Sequence, residues 1–263
     1  MGGEIPSLET TMNLRYPFLI KTTGLFPVVF FFLSISIFSF DHSHSQFNSL
    51  LTSYVQNGTV DYKSLKKEES KLNLYANDLS KVTEQEYSTF SKEEKLSFLI
   101  NAYNVFTIKL ILDNYPLKSI RNIGFLPGAA WKKDFFTLLG STRNLDWIEH
   151  SKLRVDFSEP RIHFAIVCAS IGCPKLISEA YVASKLNNQL NASMENFLGD
   201  TNKNRYDAPT NTLYISKIFD WFSKDFTKQG SLVNFIKKGM KLEIPESVLI
   251  VYTEYDWNLN EKK

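Results

Sequence analysis

Two cysteines and two of the four histidines lie between residues 150 and 173, as His150, His163, Cys168 and Cys173. Three chemistries fit these residue types. In an oxidising compartment Cys168 and Cys173 would join, with Gly172 easing the turn, and so short a loop would contribute about 2 kcal/mol. As a free thiol, Cys168 is a candidate nucleophile, with His150 or His163 as base. Glu149 would orient that base, and Asn101 or Asn104 would contact an oxyanion or substrate. The third chemistry is a zinc ion held by His150, His163, Cys168 and Cys173, although the spacing matches no finger pattern.

The leading functional expectation is a thiol-dependent hydrolase or acyl-transfer enzyme. The alternatives are a non-catalytic binding or structural module closed by a Cys168–Cys173 disulfide, and a zinc-binding domain. No other cofactor is expected. The sequence has no Gly-x-Ser-x-Gly elbow, no phosphate-cradling Gly-rich loop and no His-Glu-x-x-His helix. Phe219, Trp221, Phe222 and Phe226 have helical spacing, which reads as core packing rather than a ligand platform.

These side chains must be positioned by a scaffold that the pattern outlines. Residues 46–55 read as a short helix, 59–62 as an extended piece after the Asn57-Gly58 turn, and 64–79 as a helix. Ser91 followed by Glu94 is a capping box, and it opens a helix running to Asp113 before Pro116. From Leu96 to Leu112 apolar residues fall all round that helix, so it should be surrounded by protein. Asn101 and Asn104 inside it need defined partners, and clamping neighbouring backbone is the favoured role over facing a site. Residues 135–145 read as a hairpin. Asp146 is the expected cap of a helix carrying Glu149 and His150. Residues 161–168 are an apolar run expected to form a buried central strand. An unbroken strand would put His163 and Cys168 on opposite faces, making His150 the better base.

Helices are expected at 183–198, 216–226 and 232–239, with extended segments at 213–215 and 249–255. The fold class is therefore α+β, a helix-rich single domain around a small, mainly antiparallel sheet.

The uncharged stretch 25–40 follows Arg15 and Lys21, the order of a secretory signal peptide, and it is short for a membrane span. Residues 1–45 are read as that signal, with Met12 the more ordinary start and Gln46 the first residue of a globular domain 46–263. Export to the periplasm or medium is expected, with membrane attachment only through an uncleaved 25–40 segment. The net charge is +2 and no Lys/Arg run exceeds two, which argues against nucleic acid. Partners would be a small molecule, a peptide or an envelope component. Asn57-Gly58-Thr59 and Asn191-Ala192-Ser193 match the glycosylation sequon.

A set of ordered blocks carries a family resemblance: Leu99-Ile100-Asn101-Ala102-Tyr103-Asn104, then Tyr115-Pro116-Leu117-Lys118-Ser119-Ile120-Arg121, then Ile148-Glu149-His150. Arg161-Ile162-His163-Phe164-Ala165 follows, running on through Cys168-Ala169-Ser170-Ile171-Gly172-Cys173-Pro174, and then Ile218-Phe219-Asp220-Trp221-Phe222. With a terminal Tyr255-Asp256-Trp257-Asn258-Leu259-Asn260, these blocks make residues 60–260 resemble the family catalogued as domain of unknown function 547. The resemblance supports one secreted domain. It also implies that Asn101, Asn104, Glu149, His150, His163, Cys168 and Cys173 act as one set, without supplying a reaction.

Overall fold

The central element of the computed structural model is the helix Lys92–Asp113, buried from Leu96 to Leu112 except at Lys109. The structure describes residues 40–263; the expected apolar leader up to residue 39 and the start at Met12 lie outside them. Ser91 Oγ accepts from the Glu94 amide at 3.2 Å and Glu94 Oε2 accepts from the Ser91 amide at 2.8 Å, so the capping box is present in both directions. The helix is long and apolar enough to cross a membrane, yet 89% of its most apolar window is buried inside the protein.

Helix Glu69–Lys81 packs beside it, and helices Ser45–Tyr54 and Tyr62–Lys67 pack on Glu69–Lys81. The single helix expected over 64–79 is thus two, broken at Glu68, and the first is started by Asp61 accepting from the Ser64 amide at 2.9 Å. A short ladder joins β1 (Val55–Gln56) to β2 (Thr59–Val60).

The expected hairpin forms from β3 (Phe136–Leu138) and β4 (Ser141–Arg143). Its two-residue turn holds both Leu139 and Gly140 at positive φ, the twist such tight hairpins need. Asp146 does not cap the next helix. Asn144 Oδ1 instead accepts from the Trp147 amide at 2.9 Å, and Trp147–Leu153 winds as a π-helix.

The expected central strand at 161–168 is absent. Pro160–Phe164 forms a 3-10 helix, because Pro160 pre-sets the first turn and Glu159 accepts from the Arg161 amide. Its apolar residues serve two cores: Ile162, Ala165 and Ile166 join the one around the central helix, and Phe164 joins a second with Phe197, Phe219 and Ile236. A run buried on both sides need not alternate, which is why it reads like a strand. Its consequence is that His163 and Cys168 are not forced onto opposite faces.

The second core lies under helices Leu186–Leu198, Ile218–Trp221, Ser223–Phe226 and Leu232–Met240 and a three-stranded sheet. In that sheet β5 (Arg205–Asp207) pairs antiparallel with β6 (Thr212–Ser216), which pairs in parallel with β7 (Leu249–Thr253). Three of the four ladders among the described residues are antiparallel, and the class is α+β.

Candidate functional site

A cavity of about 480 Å³ opens where the two cores meet. Glu149 and His150 reach it from the π-helix, His163 from the 3-10 helix, and Cys168 and Cys173 from the loop after it. The wider π-helical turn is a device found often at functional sites, and here it delivers two consecutive polar side chains to one cavity.

The histidines belong to one polar chain. His163 Nε2 is 2.9 Å from Asp225 Oδ2, Arg154 Nε donates to the same oxygen at 2.6 Å, and Arg154 Nη1 lies 2.8 Å from His150 Nδ1. These bonds select tautomers. A guanidinium can only donate, so His150 Nδ1 accepts and its proton sits on Nε2; a carboxylate only accepts, so His163 Nε2 carries the proton and Nδ1 keeps a lone pair. Burial lowers the pKa of His163 despite the Asp225 bond, and burial likewise lowers that of His150. The His163 bond, with Arg154 beside it, holds Asp225 well below the usual carboxylate range against the effect of its own burial.

Glu149 behaves oppositely. Only 6% exposed and in no ion pair among the described residues, it is pushed up to about 7 by burial, with Arg154 and Tyr103 opposing. Tyr103 in turn accepts a hydrogen bond from Trp131 Nε1 at 3.2 Å.

Cys168 and Cys173 are joined in a disulfide, their Cα atoms 6.3 Å apart. Ser170 Oγ donates to Tyr255 Oη at 3.2 Å, and Tyr255 Oη donates to Cys173 Sγ at 3.1 Å. The loop is stitched to the C-terminal segment, because the Ile171 amide donates to Asn258 O at 2.9 Å and the Gly172 amide to Asp256 O at 2.8 Å. A Cβ at Gly172 would lie 2.9 Å from Asp256 N and from the Tyr255 ring, so only glycine permits this approach.

Of the sequence-predicted residues, Glu149, His150, His163, Cys168 and Cys173 line the cavity; Asn101 and Asn104 do not. Both asparagines clamp backbone. Asn101 donates to Tyr181 O at 2.7 Å and accepts from the Tyr181 amide at 3.0 Å. Asn104 donates to Ala165 O at 2.9 Å and accepts from the Val167 amide at 2.9 Å, fixing the segment that leads to Cys168. Both are buried and outside the cavity lining, so neither is placed to reach an oxyanion there. Nor does the zinc set assemble: the sulfurs are bonded to each other, and among the described residues no group of three or more His, Cys, Asp or Glu is placed to hold a metal ion.

Sequence reasoning missed Asp225, Arg154 and the aromatic wall. Trp131, Trp221 and Trp257, three of the four tryptophans, line the cavity with Tyr255 and Phe222. Phe219 and Phe226 are core residues as their spacing suggests, but Trp221 is 45% exposed and Phe222 stacks on His163 at 4.0 Å. The signal available for Asp225 was an acid directly before Phe226 in an aromatic segment. Burial there demands a cationic or donor partner.

Residues 87–198 match the family described as protein of unknown function, DUF547. The resemblance read in the sequence is shown over that segment. The DUF547 match takes in the central helix, the π-helix and the disulfide loop, and so Glu149, His150, His163, Cys168 and Cys173. Trp221, Tyr255 and Trp257 lie beyond it, as does Asp225, the partner of His163, so the cavity lining is completed by the chain that follows the matched part. No curated protein and no solved structure matches the chain significantly.

Proposed function

We propose that the protein is an exported binding domain whose ligand occupies this cavity, with the Cys168–Cys173 disulfide fixing one wall. The carrying observation is the convergence of Trp131, Trp221, Trp257 and Tyr255 on the cavity that also holds the buried Glu149, which has no ion pair among the described residues. Apolar surface with a few convergent polar groups is the composition of small-ligand sites, and an indole nearly half in water is a costly thing to keep without use. A small-molecule or short-peptide library screened by thermal shift tests the reading. Hits should lose their effect in Trp221→Ala and Glu149→Gln, and hits indifferent to both substitutions would place binding elsewhere.

A second reading is supported by His163, which lines the same cavity as Cys168 and is bonded to Asp225. In a reduced protein Cys168 would be the nucleophile of a thiol-dependent hydrolase or acyl-transfer enzyme. His163 Nδ1 would take the thiol proton, and Asp225 would orient the ring and stabilise the imidazolium. The acyl group would pass to sulfur as the leaving group takes that proton, and water would then release the acid. Hydrolysis of activated esters should then require reductant, vanish in Cys168→Ala and survive in Cys173→Ala. Activity unchanged in Cys168→Ala removes this reading.

A further inference from the structure

The aromatic residues of the cavity pack against one another in one continuous run, an aromatic shelf. Trp221 lies 4.9 Å from Tyr255 and 5.8 Å from Trp257 between ring centroids, Tyr255 and Trp257 are 4.6 Å apart, and Trp131 meets Trp257 edge-on at 6.0 Å. Tyr255 is tilted by 53° to Trp221 and 50° to Trp257, while Trp221 and Trp257 stand within 28° of parallel, so the face available for stacking is that of Trp221, which is 45% exposed.

The polar groups round the shelf are mixed and balanced. Arg121, its guanidinium over the Trp257 ring at 5.1 Å and in no ion pair among the described residues, offers donors. Asp146 offers acceptors, and the His150 tautomer fixed by Arg154 leaves an Nε2 donor, 3.8 Å from Asp146 Oδ1. Glu149 lies buried in the same lining. A cation would meet Arg121, and a strong anion would meet Asp146 and Glu149. A purely apolar ring would strip water from all four polar groups and return no hydrogen bonds.

One ligand chemistry satisfies both parts. A pyranose with equatorial substituents has flat faces of C–H groups and a rim of hydroxyls that donate and accept. Deepening the binding reading and resting on it, we propose that the cavity binds a neutral saccharide of this kind, its ring stacked on Trp221 and its hydroxyls held by Arg121, Asp146 and Glu149.

The test is intrinsic tryptophan fluorescence of the whole disulfide-closed protein, titrated with cellotetraose and with the N-acetylglucosamine tetramer. Tetramethylammonium and a dialanine peptide are titrated in parallel. A saturable change with either oligosaccharide is expected, weakened at least about tenfold by Trp221→Ala and largely retained by Trp221→Phe. Saccharide binding indifferent to Trp221→Ala overturns the placement on the shelf. No saturable response to either oligosaccharide at millimolar concentration overturns the saccharide assignment. If one of the other two probes then titrates with Trp221 dependence, the binding reading survives with a different ligand. If neither does, and the wider screen yields no Trp221-dependent hit, the binding reading falls as well.

Discussion

Glu149 and Asp225 face the same region with opposite electrostatic habits, and each leaves its own mark on stability. Glu149 rises from its ordinary 4.5 to about 7 because burial disfavours its charge. Below 4.5 it is protonated folded or unfolded, and the fold keeps its full stability. Between 4.5 and 7 the unfolded chain ionises while the folded one holds its proton, so stability falls as pH rises, by up to about 3 kcal/mol, and is level above 7. Glu149→Gln should therefore be more stable than the parent at pH 8 and equal to it near pH 4, as read from denaturant midpoints. Equal midpoints at pH 8 would mean that the carboxyl is hydrated or paired. Asp225 is depressed below its ordinary 3.8, chiefly by the His163 bond, so its contribution is present above 3.8 and is lost as pH falls through the depressed value. Asp225→Asn strands Arg154 and His163 and should cost about 3 kcal/mol at pH 7, a gap that narrows in acid. Glu149 was legible in the sequence because it adjoins His150. Asp225 was not, since it is 62 residues from His163 and only the packing of the second core brings it there.

Among the elements, legibility followed locality. The capping box named the first residue of the central helix, and the all-round apolar wheel declared its burial, because both depend on neighbours within a few turns. The segment 161–168 failed as a strand because its apolar residues feed two separate cores, a long-range fact that periodicity does not encode. What holds that segment is Asn104, whose amide replaces the strand partners that Ala165 and Val167 lack. Asn104→Ala leaves a buried carbonyl and a buried amide unsatisfied and should cost about 2–4 kcal/mol. The Val167 amide should then exchange faster in hydrogen–deuterium measurements; unchanged protection would mean that another group replaces the clamp. The disulfide acts on the next stretch. Reduction should remove about 2 kcal/mol and speed exchange at Ile171 and Gly172, whose amides tie the loop to Asn258 and Asp256. Because Tyr255 and Trp257 flank those ties, the aromatic shelf and the sulfur chemistry are mechanically one unit.

For the molecule as a whole, the open question is where the folded domain starts. A leader cut after Ser45 would release a domain lacking residues 40–45, and those residues are built into the structure. The Phe40 amide donates to Glu86 Oε1 at 3.2 Å, and its ring, 4% exposed, lies 5.2 Å from Phe98 and 6.3 Å from Phe90. Asp41 accepts from the Ser43 and Ser45 amides, and so supplies the first helix with the acceptor that its own cap residue lacks. His44 is fully buried, its Nδ1 2.6 Å from Tyr75 Oη, and burial pushes its pKa down to about 4. Deleting a buried phenyl ring alone costs about 3–5 kcal/mol, and for a domain of this size that corresponds to a fall in Tm of roughly 10 °C. A protein beginning at Gln46 should therefore melt well below one beginning at Phe40, and if the protein is exported as proposed, its mature form should carry residues 40–45. Intact mass of the secreted protein decides the boundary, and the melting of the two recombinant forms decides its reason. A secreted mass beginning at Gln46, together with equal melting of the two forms, would show that these contacts contribute nothing and return the boundary to the one read from small residues around Ser45. A mass beginning at or before Phe40 would show that the fold, more than the small-residue pattern, marks where a leader can end: the peptidase site must lie far enough upstream for Phe40 and His44 to reach their places in the core.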